Sequence, residues 1–154
     1  MTQRSTWPVA RRTRVNGRRN TRQNQRGMMV LVAEEMEAGS GLTVTTNHSS
    51  VSDLAIPRYA SRQLLAIARE ALYNVRRHSG SRAALVSLTR PRPDVLRLSV
   101  KDRGRGLPAQ ATVSGGLGLL GMRERAALIG AQMTIASGSN RGTTVRVEFA
   151  LSST

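Results

Sequence analysis

Four side chains between Arg69 and Ser81 are spaced for joint chemistry. Glu70, Asn74, Arg77 and His78 stand at i, i+4, i+7 and i+8. At about 100° per residue they fall within roughly 100° of each other on a helix, beside its apolar face rather than opposite it. Arg62, Arg69, Tyr73 and Arg76 take the far face. A carboxylate and an amide at the edge of a core cost free energy unless something pairs with them. A hard cation such as Mg²⁺ suits that pair, because it takes oxygen ligands and completes its shell with water and phosphates. Taken alone, the spacing also fits an exposed helix flank with an ordinary charge pattern.

Two further stretches carry chemistry. Asp102-Arg103-Gly104-Arg105-Gly106 directly follows a strand pattern. Two glycines two apart let the backbone turn sharply and approach a ligand, and an Asp at a strand end can accept a hydrogen bond from a base amino group. An ordinary strand-to-loop turn also uses Asp and Gly. The stretch Gly115-Gly116-Leu117-Gly118-Leu119-Leu120-Gly121 leads into a helix pattern. Its unpaired N–H groups and positive dipole end suit phosphate. Gly116, Gly118 and Gly121 match G-x-G-x-x-G literally, but that dinucleotide pattern needs a strand immediately before it, and here the strand ends about a dozen residues earlier.

The elements that must position these residues read clearly. Residues 28–37 suggest a short helix stopped by Gly39 and Gly41, and 42–46 a strand. Residues 59–78 form the strongest helix, with Leu64, Leu65, Ala68, Ala71, Leu72 and Val75 on one broad face and Gly80 as its stop. Strands follow at 83–89 and 95–102, joined by the turn at 91–94. Leu96, Leu98 and Val100 alternate with Arg97, Ser99 and Lys101, so one face is buried. A loop runs to about residue 118. A helix at 119–130 and a hairpin of strands at 132–137 and 143–151 complete an order αβαββαββ. That order predicts an α+β two-layer sandwich, a mixed β-sheet covered on one face by about three helices.

In order and spacing, these stretches resemble the GHKL ATPase superfamily of gyrase, Hsp90, histidine kinases and MutL, whose nucleotide-binding architecture is the Bergerat fold. REALYNVRRHSGS (69–81) looks like its N box, VKDRGRGLP (100–108) like its G1 box, and GLGLLGMRERAALIGAQMTIAS (116–137) like its G2 box and following helix. RGTTVRVEFAL (141–151) looks like the closing strand. The phrases E-A-L-x-N-x-x-R-H and G-L-x-G-M-R-E-R resemble the branch of sensor histidine kinases that includes the nitrate-sensor and DesK types. The resemblance covers about residues 28–151.

The resemblance implies roles at individual positions. Asn74 would ligate Mg²⁺ bridging the phosphates of ATP, and Glu70 would orient a water or polarise the metal shell. Arg77 and His78 would lie near the phosphates. Asp102 would bind the adenine amino group, and Gly104 and Gly106 would let the chain pass the base. Gly116 and Gly118, with Leu117 and Leu119, would shape a lid over the triphosphate. Thr143 would support the adenine site through water. A kinase of this branch also carries a dimerising helical pair with an acceptor histidine in a stretch like E-L-H-D. Of the two histidines here, His78 is inside the N box and His48 stands in the loop stretch NHSS, expected to be exposed. The phosphoryl acceptor is therefore expected on a histidine-bearing partner or domain, with a response regulator downstream.

Composition bounds the rest. The 154 residues suit one domain, and with one Trp, one Phe and two Tyr its core must be aliphatic. With no cysteine there are no disulfides or thiolate metal sites. No apolar run approaches the roughly 20 residues of a membrane span, and no apolar stretch follows the charged N-terminus as in a secretory signal, so a cytoplasmic chain is expected. The formal charge is +15, and residues 1–27 carry eight Arg and no acid. That stretch lacks periodicity and is expected to be a disordered tail ahead of a domain at 28–154. Two other readings remain. One is a GHKL serine kinase of the anti-sigma-factor type. The other is a non-catalytic basic protein binding nucleic acid or an acidic partner through the tail. Only Trp7 is interleaved with the tail's arginines, so any nucleic-acid binding would be non-specific and salt-sensitive.

Overall fold

Alternation along the strands decides the architecture. In the computed structural model, which describes residues 24–48, 51, 54–114, 116 and 118–152, five strands form one sheet in the order β1-β2-β3-β5-β4. They are β1 (Thr43–Asn47), β2 (Ala83–Arg92), β3 (Val95–Asp102), β4 (Gln132–Gly138) and β5 (Gly142–Ala150). The pair β1–β2 is parallel and the other three are antiparallel. Val86 pairs with Val100, Leu88 with Leu98, Leu98 with Val147 and Leu96 with Phe149, and all are buried. The intervening positions carry Arg97, Ser99, Lys101 and Arg146. On that second face Arg97 and Glu148, directly opposite in register, form an ion pair at 2.6 Å.

Helices α1 (Asn24–Glu37), α2 (Arg58–Asn74) and α4 (Leu119–Leu128) pack on the apolar face. In α1, Met29, Val32, Ala33 and Met36 repeat at helical spacing and are buried. Every residue assigned to the apolar face of 59–78 is buried, together with Ala60 and Ile67. In α4 the buried row is Leu119, Met122 and Ala126. The expected sandwich is therefore the observed one, and among the described residues its core is aliphatic apart from Phe149.

The structure differs from the expected elements in four places. The first helix begins at Asn24, four residues before the expected onset, and the rest of the expected tail lies outside the described residues. Strand β2 runs three residues past 89, with its register broken between Thr89 and Arg92, where Pro91 has no N–H for the ladder. A short helix, α3 (Ala109–Ser114), occupies part of the expected loop, entered from Pro108, whose carbonyl accepts the Ala111 N–H. Helix α2 continues as a π-helical turn, Val75–Ser79, ended by Gly80 at φ 70°. Among the described residues no helix is long and apolar enough to cross a membrane.

Glycine placement yields a paired test. Gly142 has φ 75°, and a Cβ there would overlap the backbone of Asp102 and Arg103. Gly121 lies inside α4 with nothing within 4 Å of an added Cβ. Gly142→Ala should destabilise by more than about 2 kcal/mol. Gly121→Ala, in the first turn of α4, should stabilise by up to about 1 kcal/mol, the upper cost of a glycine in a helix. Chemical denaturation of both variants checks the opposite signs.

Candidate nucleotide site

Three strands end their core-facing rows in polar residues, and all three ends meet. On β3 the row Leu96, Leu98, Val100 continues to Asp102. On β5 the row Phe149, Val147, Val145 leads back to Thr143, and Thr143 pairs with Ser137 on β4. Asp102 is only 3% exposed. Its Oδ1 accepts the Gly104 N–H at 2.7 Å, and the Thr143 N–H also serves the carboxylate. Burial raises the Asp102 carboxyl above its ordinary value, and the two backbone N–H groups pull it back without cancelling the rise.

The loop after Asp102 is clamped between two neighbours. The Arg105 N–H donates to the Ser79 carbonyl at 2.8 Å, and the Arg105 carbonyl accepts the Asn140 N–H at 3.0 Å. A Cβ on Gly104 would overlap the Ser79 carbonyl, and one on Gly106 would overlap the Gly138 carbonyl. Both glycines are thus required by chain-to-chain packing. The sequence reading gave them a sharp turn and the approach to a base.

Helix α2 and its π-helical turn supply the facing wall. Ala71, Asn74, Val75, His78 and Ser79 line one side of a cleft, and Val100, Asp102, Gly106, Leu107, Leu119, Thr143 and Val145 line the other. Counted out to its mouth the cleft spans about 390 Å³, and its enclosed part is about 20 Å³, room for about one water. Ser79, buried, donates from Oγ to the Val75 carbonyl at 2.7 Å and fixes the end of the turn.

Of the site residues read from the sequence, Asn74, His78, Asp102, Gly106, Leu119 and Thr143 converge on this cleft. Gly104 is two residues beyond Asp102 and donates its N–H to the Asp102 carboxylate. Arg77 does not line it. Its guanidinium lies 5.3 Å from the centre of the Tyr73 ring and donates to the Tyr73 hydroxyl at 2.7 Å, on the far face. The cause is the π-helical turn, whose wider i→i+5 bonding departs from the 100° step assumed for a continuous α-helix. Glu70 also stands outside the cleft, with its carboxylate where a Cβ of Gly118 would be. Gly118 has φ 73° and caps the N-terminus of α4, where the helix dipole favours a negative charge. The Gly116 carbonyl accepts the Leu119 N–H at 3.2 Å. Leu117 lies outside the described residues. His48 is half-buried rather than exposed.

Several lining residues escaped the sequence reading. Ser79, Leu107, Val100 and Val145 are ordinary in type, and only the alternation ending at Asp102 and Thr143 pointed to the last two. Gly142 supports the site by letting its backbone lie against Asp102.

Comparison with known proteins follows the same lines. The family described as histidine kinase-, DNA gyrase B- and HSP90-like ATPase matches residues 59–153. The sensor histidine kinase LnrJ of Bacillus subtilis is 38% identical over 109 residues, 70% of this chain and 26% of LnrJ. The sensor protein VraS of Staphylococcus aureus is 34% identical over 101 residues, 66% of this chain and 29% of VraS. The chain spans about a quarter to a third of the length of these relatives. Among solved structures, the blue-light activated histidine kinase of Erythrobacter litoralis EL346 superposes with a TM-score of 0.69 at 20% identity, covering 85% of this chain and 42% of that one. The catalytic domain of the histidine kinase ThkA gives 0.62 at 16% identity, covering 82% and 90%. At such identities the structural likeness shows the fold, and the family match shows the kinship: this chain belongs to the histidine kinase-, DNA gyrase B- and HSP90-like ATPase family.

Proposed function

We propose that the chain binds Mg²⁺-ATP in this cleft and acts as the catalytic domain of a cytoplasmic two-component sensor kinase. It would present the γ-phosphoryl group to a histidine on a dimerisation domain or partner, from which a response regulator receives it. The observation that carries this reading is the buried Asp102 carboxylate in a cleft that also holds Asn74, His78 and Thr143 and is walled by Ala71, Val75, Val100, Leu107, Leu119 and Val145. A buried acceptor at the end of an aliphatic pocket suits a flat apolar base with an amino group.

The residues divide the work. Asp102 accepts from the base, Thr143 lies beside it, and Val100, Val145 and Leu119 supply apolar wall. Gly116 and Gly118 shape the entry to α4 over the triphosphate, with Leu117 between them. His78 at the cleft supplies a donor toward the phosphates, and Arg77, held by Tyr73 on the far face, would join it only after leaving Tyr73. Because the enclosed space is small, the nucleotide must part the walls as it enters. Among the described residues no cluster of three or more His, Asp or Glu could hold a metal by protein groups alone. The Asn74 amide oxygen at the cleft fits Mg²⁺ arriving with the phosphates, since that ion keeps waters and phosphate oxygens in its shell, and Glu70, against Gly118 outside the cleft, would reach it only through water. When bound, it would neutralise phosphate charge. The chain itself contributes positioning and preorganised dipoles rather than covalent chemistry.

Calorimetric titration with ATP, with and without Mg²⁺, tests the reading directly. Asn74→Ala should abolish the Mg²⁺-dependent part of ATP affinity while circular dichroism stays native. Unchanged Mg²⁺-dependent affinity in a folded variant removes Asn74 from the metal site.

Asp102 sets a pH dependence. Its folded pKa is raised, so its contribution to stability is present at low pH and lost as pH rises through that folded value. The base amino group needs the ionised form. As pH falls from neutrality toward the raised folded pKa of Asp102, wild-type ATP affinity should therefore fall more steeply than that of Asp102→Asn, whose side chain does not titrate. At neutral pH, Asp102→Asn should bind ATP about tenfold to a hundredfold more weakly, the worth of a hydrogen bond to a charged acceptor. Parallel pH profiles for the two proteins count against the assignment.

A further inference from the structure

Ser137 has the most connected hydroxyl at the cleft and lines none of it. It sits on β4 directly opposite Thr143. Its Oγ accepts the Leu107 N–H at 2.7 Å, lies 3.0 Å from Thr143 Oγ1, and lies 3.3 Å from the Gly142 carbonyl. Two of these partners, Leu107 and Thr143, form the cleft wall. A serine hydroxyl has one proton to give. If it goes to the Gly142 carbonyl, Thr143 must donate its own proton to Ser137, and Thr143 then presents only lone pairs to the cleft. If it goes to Thr143 Oγ1, the proton on Thr143 is released to point into the cleft. The second arrangement is a directed chain, from the Leu107 amide through Ser137 to Thr143.

We propose that Ser137 is a specificity-determining positioning residue, whose hydroxyl fixes Thr143 as a hydrogen-bond donor to the nucleotide base. The inference rests on the reading of the cleft as an ATP site. Adenine presents an amino donor beside a bare ring-nitrogen acceptor. Guanine presents a carbonyl acceptor beside a ring N–H donor. An acceptor from Asp102 next to a donor from Thr143 matches adenine at both positions and guanine at neither. With the hydroxyl of Ser137 absent, Thr143 is free to turn, and the donor half of that pattern is lost.

The test is the ratio of ATP to GTP affinity, measured by calorimetry on the full chain with Mg²⁺. Ser137→Ala should lower the preference for ATP by about threefold to tenfold, the worth of one net hydrogen bond. Ser137→Thr, which keeps the hydroxyl, should retain the wild-type ratio. In a Thr143→Val background, Ser137→Ala should change the ratio no further. The proposal is overturned if wild-type protein prefers ATP and Ser137→Ala keeps that preference. It is also overturned if Ser137→Ala weakens both nucleotides equally, which marks a structural role, or if its effect persists in full beside Thr143→Val. Wild-type protein that binds neither nucleotide overturns the ATP reading, and this inference with it.

Discussion

A charged group at the end of a buried strand row is the constraint around which this molecule is arranged. Side chains on β3 alternate strictly, so whatever follows Leu96, Leu98 and Val100 at the next step of two must face the helices. That residue is Asp102. A carboxylate so placed is costly unless satisfied, and the structure meets the cost with backbone N–H groups from Gly104 and Thr143. Bringing those groups close forces the main chain of three segments together. Gly104, Gly106 and Gly142 are glycine because a methyl group at any of them would strike a neighbouring backbone. The loop, the hairpin and the end of the π-helical turn are thus locked by the needs of one side chain.

The opposite wall is built by a different economy. Helix α2 is apolar along Ala60, Leu64, Ile67, Ala68 and Ala71, the row runs on to Val75 in the π-helical turn, and the polar flank opens onto the cleft only at the end of that row. Asn74 and His78 therefore reach the cleft as a by-product of how the helix is seated. Glu70, one turn earlier, falls instead against Gly118 and holds the entry of α4 beside α2. The same helix pair is bridged on its outer side by Arg125 donating to Gln63 at 3.0 Å.

Much of this was legible because it depends on periods. The alternation of two along β3 and β5, and the helical spacing from Leu64 to Val75, are written in residue type and point to Asp102 and Asn74 without a structure. What was not legible depends on departures from those periods. Arg77 was placed with Asn74 by a 100° step, and the π-helical turn breaks that step. The helix α3 was hidden in the short stretch AQATVS, which has no apolar row to signal it. Ser137 looks like any serine before a hairpin, and its importance comes only from standing opposite Thr143 across two strands. The glycines were visible as glycines, but which of them answer to backbone crowding and which, like Gly121, to none required the packed chain.

The parallel pairing of β1 with β2 also governs how the molecule comes into being. Thr43 must find Ala83 across the whole of α2, whereas β2 meets β3 and β4 meets β5 through short turns. Closing a long loop costs entropy before its contacts return anything, and non-local pairing slows folding. The two hairpins are thus expected to form early and the crossover helix to dock late. Since the cleft lies between that helix and the hairpin strands, it should be among the last features to form on folding and among the first to be lost when the helix detaches. A ligand bridging its two walls acts as a clasp on the final step of assembly, and slows unfolding more than it speeds folding.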